Sequence, residues 1–173
     1  MVQVLVPGPD RWSRMNRVVI LGRGASGKST LARRLGAITG LPVVELDQVF
    51  WRPGRAATPG PEWKVRQREL VDGERWILDG DLGPYDAPEI RLAAADAIVL
   101  LDFPLWLCAW RALRRSRQRA DFWWWLIGWR LRSLPPLMRA IAAHAPDARL
   151  HVLRSPRDVD VFLASSGATA QRT

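Results

Sequence analysis

The residues best suited to chemistry lie in one glycine-rich segment. Positions 22–29 read Gly-Arg-Gly-Ala-Ser-Gly-Lys-Ser and match every fixed position of the pattern G-x-x-x-x-G-K-[ST]. In this pattern the glycines let backbone N–H groups surround phosphate oxygens, the lysine reaches the β- and γ-phosphates, and the last hydroxyl can bind Mg²⁺. The segment therefore predicts a loop that binds a nucleoside triphosphate. The residues expected to contact the nucleotide are Gly22, Gly24, Ala25, Ser26, Gly27, Lys28, Ser29 and Thr30.

The surroundings of this segment distinguish it from a chance glycine turn. Residues 17–21 (RVVIL) form a short β-branched run typical of a buried parallel strand. Residues 28–40 predict a helix, with Leu31, Leu35 and Ile38 along one face. A phosphate-binding loop needs this order, because the amino terminus of a helix attracts anions.

Strands and helices alternate along the rest of the chain. Apolar runs predict strands at 17–21, 41–46, 76–78, 97–101 and 150–153. Helical patterns lie between and after them, at 28–40, 62–71, 90–94, 105–119, 121–133, 136–143 and 156–164. This alternation indicates an α/β protein in which a parallel sheet is covered on both faces.

Carboxylates follow three of the predicted strands. Asp47, Asp79 and Asp102 come at or just after strand ends, as does the glycine loop. Ligands of open α/β sheets bind at the carboxyl ends of the strands, so these groups are expected to share one site. Asp47 is predicted to bind an acceptor hydroxyl or to accept its proton, with a helix-capping role as the alternative.

Composition limits the remaining possibilities. The chain has 173 residues, which suits one domain, and a net charge of +9 that indicates an anionic partner: nucleotide, nucleic acid or membrane surface. A single cysteine, Cys108, permits no internal disulfide and fits a reducing compartment, so we expect a cytoplasmic protein. Residues 1–14 and 165–173 are predicted to be disordered, the first as a loose extension without signal-peptide character.

Beyond the loop, several segments resemble a known family. The stretches LPVVELDQVFW (41–51), WILDGD (76–81), IRLAAADAIVLLDFP (90–104) and LHVLRSPRDVDVFL (150–163) are similar to bacterial DNA topology modulation proteins, which resemble adenylate kinase and other nucleoside monophosphate kinases. The resemblance covers about 15–163. It implies a three-layer P-loop NTPase fold over 15–164, with five parallel strands in the order 2-3-1-4-5 and a short helical lid at about 116–134.

The resemblance also implies roles for individual residues. Asp79 corresponds to the carboxylate that holds Mg²⁺ together with Ser29, and Asp102 is its rival for this role. Arg111 and Arg115 correspond to lid arginines that contact the nucleotide, and with Lys28 and Asp79 they form the predicted catalytic set. Arg91 is expected on the acceptor side, and Arg130 and Arg132 are further candidate lid arginines.

Two segments depart from the family pattern. Asp81-Leu82-Gly83-Pro84-Tyr85 replaces an Asn-Tyr-Ser-Arg-like loop, and Phe122-Trp123-Trp124-Trp125 replaces a polar turn. The tryptophans have three interpretations: packing at a lid hinge, contact with a partner or membrane interface, or stacking on bases.

The sequence therefore predicts an enzyme that uses ATP (or GTP) and Mg²⁺ to phosphorylate a small acceptor, either a nucleotide or a hydroxylated metabolite. The alternative hypothesis is a nucleotide-dependent nucleic-acid-binding regulator of DNA topology with little kinase turnover. A third possibility is membrane-surface association through residues 123–129.

Overall fold

A five-stranded parallel sheet forms the centre of the protein. The structure, a computed structural model, describes residues 15–82, 86–115 and 120–170. Its strands are β1 (Arg17–Gly22), β2 (Val43–Glu45), β3 (Trp76–Asp79), β4 (Ala97–Leu101) and β5 (Arg149–Leu153). They lie in the order β2-β3-β1-β4-β5 and are parallel throughout. The predicted strand order is confirmed.

Helices cover both faces of this sheet. The described helices are α1 (Lys28–Thr39), α2 (Leu46–Phe50), α3 (Gly60–Val71), α4 (Glu89–Ala94), α5 (Leu105–Arg115), α6 (Ala120–Arg132), α7 (Leu134–His144) and α8 (Pro156–Ala170). None of them is long and apolar enough to cross a membrane. The three-layer α/β architecture predicted from the alternation of elements is therefore confirmed.

The alternation of side chains in β1 explains why both faces need cover. Val18 and Ile20 belong to a core cluster that includes residues of α1 and α8, whereas Val19 and Leu21 belong to a second cluster with residues of α3 and α7. All four side chains are fully buried. Because successive side chains of a strand point to opposite faces, an all-apolar central strand requires helices on each side.

The second strand is shorter than predicted. The strand expected at 41–46 spans only Val43–Glu45, and Leu46–Phe50 forms α2, a helix of little more than one turn that was not predicted. Asp47 lies two residues after the end of β2, in the first turn of α2.

Helix α8 corrects the prediction of a disordered tail from 165 onward. It continues to Ala170, where the sequence predicted an end near Ala164. Ser166 is buried and its hydroxyl donates to Phe162 O at 2.9 Å, while Gly167 lies against Ile38 of α1. Small side chains in this last part of the helix allow close packing on α1. Residues 171–173 and the predicted extension 1–14 lie outside the described residues.

The burial of His151 in β5 generates a prediction about stability and pH. Its ring makes an edge contact with Phe162 at 5.2 Å, and burial, aided by nearby Arg149, lowers the pKa of His151 to about 4. In an unfolded chain the pKa of a histidine is about 6.5, so the folded state binds the proton less tightly than the unfolded state does. The stability that neutral His151 contributes is thus complete above pH 6.5 and is lost as the pH falls toward 4.

We therefore expect His151 to account for about 2 kcal/mol of the fall in unfolding free energy between pH 7 and pH 4.5. Denaturant titrations of the parent protein and of His151→Leu at both pH values measure this difference. The exposed His144, changed to Leu, is the matched control and should keep the parent's pH dependence. Equal pH dependence in the parent and in His151→Leu would contradict the assignment.

Candidate active site

The glycine-rich loop leaves β1 in a conformation that depends on its small residues. Gly22, Ala25 and Gly27 have φ angles of 144°, 56° and 100°. A Cβ on Gly22 would lie 2.5 Å from Leu101 O in the neighbouring strand. The loop ends where α1 begins at Lys28, so its backbone amides surround the amino terminus of that helix.

Lys28 lies over this loop. Its ammonium donates hydrogen bonds to Gly22 O at 2.9 Å and Arg23 O at 3.2 Å. The charge is therefore held beside the loop amides, at the position where phosphate oxygens would bind.

Asp79, the last residue of β3, lies beside the hydroxyl of Ser29. Its side chain is buried, its Oδ1 has no hydrogen-bond partner among the described residues, and Ser29 donates to the carboxylate. Burial raises the pKa of Asp79, although Ser29 and Lys28 oppose this shift. A buried carboxylate with a free oxygen next to a hydroxyl is a donor set that fits Mg²⁺.

Asp102 is engaged elsewhere. Arg130 Nε donates to its Oδ1 at 3.1 Å and Arg130 Nη2 donates to its Oδ2 at 2.8 Å, a two-pronged ion pair between the end of β4 and α6. Arg130 thereby joins α6 to the end of β4. Of the two carboxylates considered for Mg²⁺, the geometry favours Asp79.

A first cavity of about 370 Å³ opens on one side of the loop. Its charged lining consists of Arg34, Arg111, Arg114 and Asp160, and Asp160 accepts a hydrogen bond from Arg34 at 3.2 Å. The aromatic rings of Phe103 and Trp110 also border it. This cavity is basic and aromatic, and Ser26, Gly27 and Thr30 of the nucleotide-binding segment form its inner wall.

A second cavity of about 430 Å³ opens on the other side of the loop. Its charged lining consists of Lys28, Asp47, Asp79 and Asp81. Its aromatic walls are Trp51, Phe122 and Trp125. Gly27 borders both cavities, so the loop forms the boundary between a basic compartment and an acidic one.

Arg111 connects α5 to the loop. Its Nη1 donates to Ser26 O at 2.7 Å, and its guanidinium lies 5.3 Å from the centre of the Phe103 ring. The predicted lid arginine is therefore in contact with the phosphate-binding segment. The side chain of Arg115 lies outside the described residues, as do residues 116–119 of the predicted lid.

Helix α6 covers the loop with aromatic side chains. A Cβ on Gly24 would overlap both Trp125 and Phe122, so the helix packs directly on the loop backbone. Trp129 is fully buried with the guanidinium of Arg23 5.4 Å from its ring centre, whereas Trp124 is 70% exposed. Trp125 therefore packs on the glycine-rich loop, and the predicted lid hinge stays a prediction.

Comparisons with solved structures find the same fold. A shikimate kinase from Acinetobacter baumannii in complex with shikimate matches with a TM-score of 0.57 and 18% identity, over 95% of this chain and 94% of that one. An unliganded sugar kinase from Janibacter sp. HTCC2649 gives 0.54 and 20% over 90% and 98%, and a gluconokinase from Sinorhizobium meliloti 1021 gives 0.53 and 15% over 91% and 92%.

The chain has the fold of P-loop kinases. No family model and no curated protein matches the sequence. Resemblance to the DNA topology modulation proteins therefore stays a prediction.

The contacts of Arg91 differ from its predicted role on the acceptor side. Its side chain is fully buried, and it donates to both carboxylate oxygens of Asp86, at 2.7 and 2.5 Å. Further hydrogen bonds go to Gln67 Oε1 at 3.0 Å and Gly80 O at 3.3 Å. Arg91 thus positions the segment after β3, and it is not among the described residues that line the second cavity. Residues 83–85 of this loop lie outside the described residues.

Sequence reasoning missed one contributor to the site. Arg23 is a variable position of the loop pattern, yet it is 2% exposed and joins the loop to α6. Trp51, which the sequence suggests as pocket wall or core, does line the second cavity, at the end of α2. The signal for Arg23 was a long basic side chain between two glycines, which no pattern rule interprets.

The burial of Asp79 predicts a conflict between stability and ion binding. We expect Asp79→Asn to raise the melting temperature of the nucleotide-free protein at neutral pH by about 2–4 °C, because it removes a buried charge. A raised pKa means that the folded state binds the proton more tightly, so this charge destabilises the fold only at higher pH. The gain should therefore shrink as the pH falls.

Thermal unfolding with ADP, with and without Mg²⁺, measures both consequences. The parent should gain additional stability from Mg²⁺, and Asp79→Asn should lose that increment. Asp102→Asn is the matched control: it should lower the melting temperature by weakening the Arg130 ion pair and keep the Mg²⁺ increment. If Asp102→Asn lost the increment while Asp79→Asn kept it, the two carboxylates would have to exchange roles.

Proposed function

We propose that this protein is an ATP-dependent phosphotransferase that transfers the γ-phosphate of ATP (or GTP) to a hydroxyl of a small acceptor. The observation that carries this proposal is the position of the loop between two cavities, with Gly27 bordering both. A triphosphate held by the loop would have its nucleoside in the basic cavity and its terminal phosphate facing the acidic one. The fold shared with small-molecule kinases supports the same assignment.

The basic cavity suits a nucleotide. Arg111 is in contact with the loop, and Arg114 stacks 4.0 Å from the centre of the Trp110 ring. Arginines beside aromatic rings provide both positive charge for phosphates and flat surfaces for a base. Thr30, predicted to contact the α-phosphate, borders this same cavity.

Charge neutralisation would come from the residues around the loop. Lys28 and Arg111 lie where negative charge develops during transfer, and Arg115, four residues further along α5, is the proposed second lid contact. Ser29 and Asp79 would hold Mg²⁺, which would supply further positive charge to the phosphates.

Asp47 is the proposed acceptor residue. It lies exposed in the first turn of α2 and borders the acidic cavity. In the transfer step the acceptor oxygen forms a bond to the γ-phosphorus as the bond from phosphorus to the β–γ bridging oxygen breaks. The nucleoside diphosphate leaves with that electron pair, and the proton of the acceptor hydroxyl passes to the Asp47 carboxylate.

The nucleic-acid-binding alternative stays a prediction. The described arginines nearest the loop make contacts within the protein: Arg23 with Trp129, Arg111 with Ser26 and Arg130 with Asp102. These contacts account for part of the basic composition that suggested a nucleic-acid partner.

Lys28→Ala tests the proposed reaction. We expect it to lower the rate of Mg-ATP turnover at least about 100-fold, because it removes a charge aimed at the transferred phosphate. ADP formation is measured with and without a panel of hydroxylated acceptors and nucleoside monophosphates. Lys64→Ala, which loses the other lysine of the chain on the exposed face of α3, is the matched control and should keep the parent's rate. A Lys28→Ala protein that consumed ATP at the parent rate would refute the proposal.

A further inference from the structure

Large apolar side chains lie exposed on the outer face of α6. Trp124, Ile127 and Leu131 are three and four positions apart, so they share one face of the helix. They are 70%, 56% and 84% exposed. The other side of α6 is buried through Leu126 and Trp129. A helix face in water is ordinarily polar, so an apolar one of this size indicates a surface that contacts another molecule.

This exposed face continues along α7. Ser133, the residue between the two helices, has φ and ψ angles of −97° and −41°, in the right-handed helical region. Its N–H donates to Trp129 O at 2.9 Å, and the N–H of Leu137 donates to Ser133 O at 3.2 Å, so helical hydrogen bonds pass through the junction. Exposed apolar residues then follow at helical spacing along both helices, and we call them the α6–α7 stripe: Trp124, Ile127, Leu131, Pro135, Met138 and Ala142.

Two exposed arginines border the stripe. Arg132 directly follows Leu131, and Arg139 directly follows Met138. The stem of Arg132 lies along the surface of α6, because a Cβ on Gly128 would be 3.3 Å from its Cδ. Such a side chain can lay its methylene groups on an apolar surface while its guanidinium reaches an anion beyond it.

Carboxylates do not offset these arginines within the two helices. Residues 122–146 contain three arginines and no carboxylate. Glu89 of α4, which packs on α7, lies 3.7 Å from Lys64, and Asp102 is paired with Arg130. Apolar surface and positive charge therefore occur together on this face, which complements a partner that is both anionic and apolar.

A phospholipid surface has both of these properties. Tryptophan and arginine suit the headgroup region of a bilayer, and aliphatic side chains suit the acyl boundary beneath it. Nucleic acid offers phosphates and flat bases but no apolar surface for Ile127, Leu131 and Met138. A second copy of this chain would bring the arginines of two stripes together.

We infer that the α6–α7 stripe binds the surface of a membrane that contains anionic phospholipids. Trp124, Ile127 and Leu131 enter the interface, and Arg132 and Arg139 contact lipid phosphates. This function is separate from the proposed phosphotransfer, since no residue of the stripe lines either of the two cavities.

The inference narrows the membrane contact that the sequence suggests at residues 123–129. Trp125 packs on the glycine-rich loop, and Trp129 is fully buried. Of this segment, Trp124 and Ile127 are the large apolar residues at the surface, and the remaining contact comes from α7 and the end of α6.

Co-sedimentation of the full chain with lipid vesicles tests the inference. Vesicles of phosphatidylcholine and phosphatidylglycerol in equal amounts are compared with vesicles of phosphatidylcholine alone. We expect the parent to bind the anionic vesicles at least about 10-fold more tightly than the neutral ones, and less tightly as salt is added.

Variants connect this binding to the stripe. The double variant Ile127→Ser, Leu131→Ser should bind anionic vesicles at least about 10-fold less tightly, because it removes two apolar side chains from the interface. Val161→Ser, at an exposed apolar position of α8, is the matched control and should bind like the parent.

The arginines are tested in the same way. Arg132→Gln, Arg139→Gln should weaken binding to anionic vesicles and reduce its salt dependence, while Arg157→Gln on α8 should change neither. Circular dichroism melting checks that each variant is folded. If the serine variant does not fold, the arginine variant decides the outcome.

Several results would overturn the inference. These are a parent protein that does not bind anionic vesicles, equal binding to both kinds of vesicle, or unchanged binding in the folded stripe variants. Without vesicle binding, a dimer that the serine variant disrupts in sedimentation velocity would assign the stripe to a second copy. Duplex DNA binding weakened by the same variant would assign it to nucleic acid.

Discussion

The close approach of the loop to β4 is the constraint on which the site depends. At Gly22 the backbone leaves β1 with a positive φ and passes so near Leu101 that any side chain would collide with its carbonyl. This contact turns the chain back to start α1 at Lys28, which aligns the loop amides with the helix amino terminus. The parallel pairing of β1 with β3 then brings Asp79 to the same edge of the sheet, beside Ser29. The proposed phosphate site and the proposed Mg²⁺ site thus both depend on this one backbone path.

A second set of contacts holds in place the segments that lie over this edge of the sheet. These contacts bury charged side chains. Arg91 positions the segment after β3 through Asp86 and Gln67, and Arg130 attaches α6 to Asp102. Arg91 and Asp86 are both buried, so losing either would leave a charge with little solvent beside it, whereas in the other pair this holds for Asp102 and not for the half-exposed Arg130. Asp79 differs from them because its charge has no such ion pair among the described residues. The fold tolerates this at a position where a bound cation would supply the missing charge.

The parts predicted from sequence were those that depend on local pattern. The alternation of strands and helices predicted the covered parallel sheet, the family resemblance implied its strand order, and the loop was predicted from a motif flanked by a strand and a helix. The role of Arg91 could not be predicted, because no pattern indicates that it pairs with Asp86 in the preceding loop or with Gln67, 24 residues away on another helix. The pairing of Asp102 with Arg130 spans 28 residues for the same reason. Helix α2 was missed because five residues span little more than one helical turn. Helix α8 was predicted too short because its last residues are small and polar, like those of a disordered tail, although Ser166 is buried and Gly167 packs against Ile38 of α1.

The position of the loop between two cavities would give a bound triphosphate a direction. Arg111 and Arg114 line one cavity, Asp47 and Asp79 line the other, and Gly27 borders both. A triphosphate would be favoured with its nucleoside on the arginine side and its terminal phosphate toward the cavity of Asp47 and Asp79. That second cavity, of about 430 Å³, leaves room for another molecule beside the terminal phosphate. Room for an acceptor at this place is the physical reason for proposing phosphotransfer in addition to nucleotide binding.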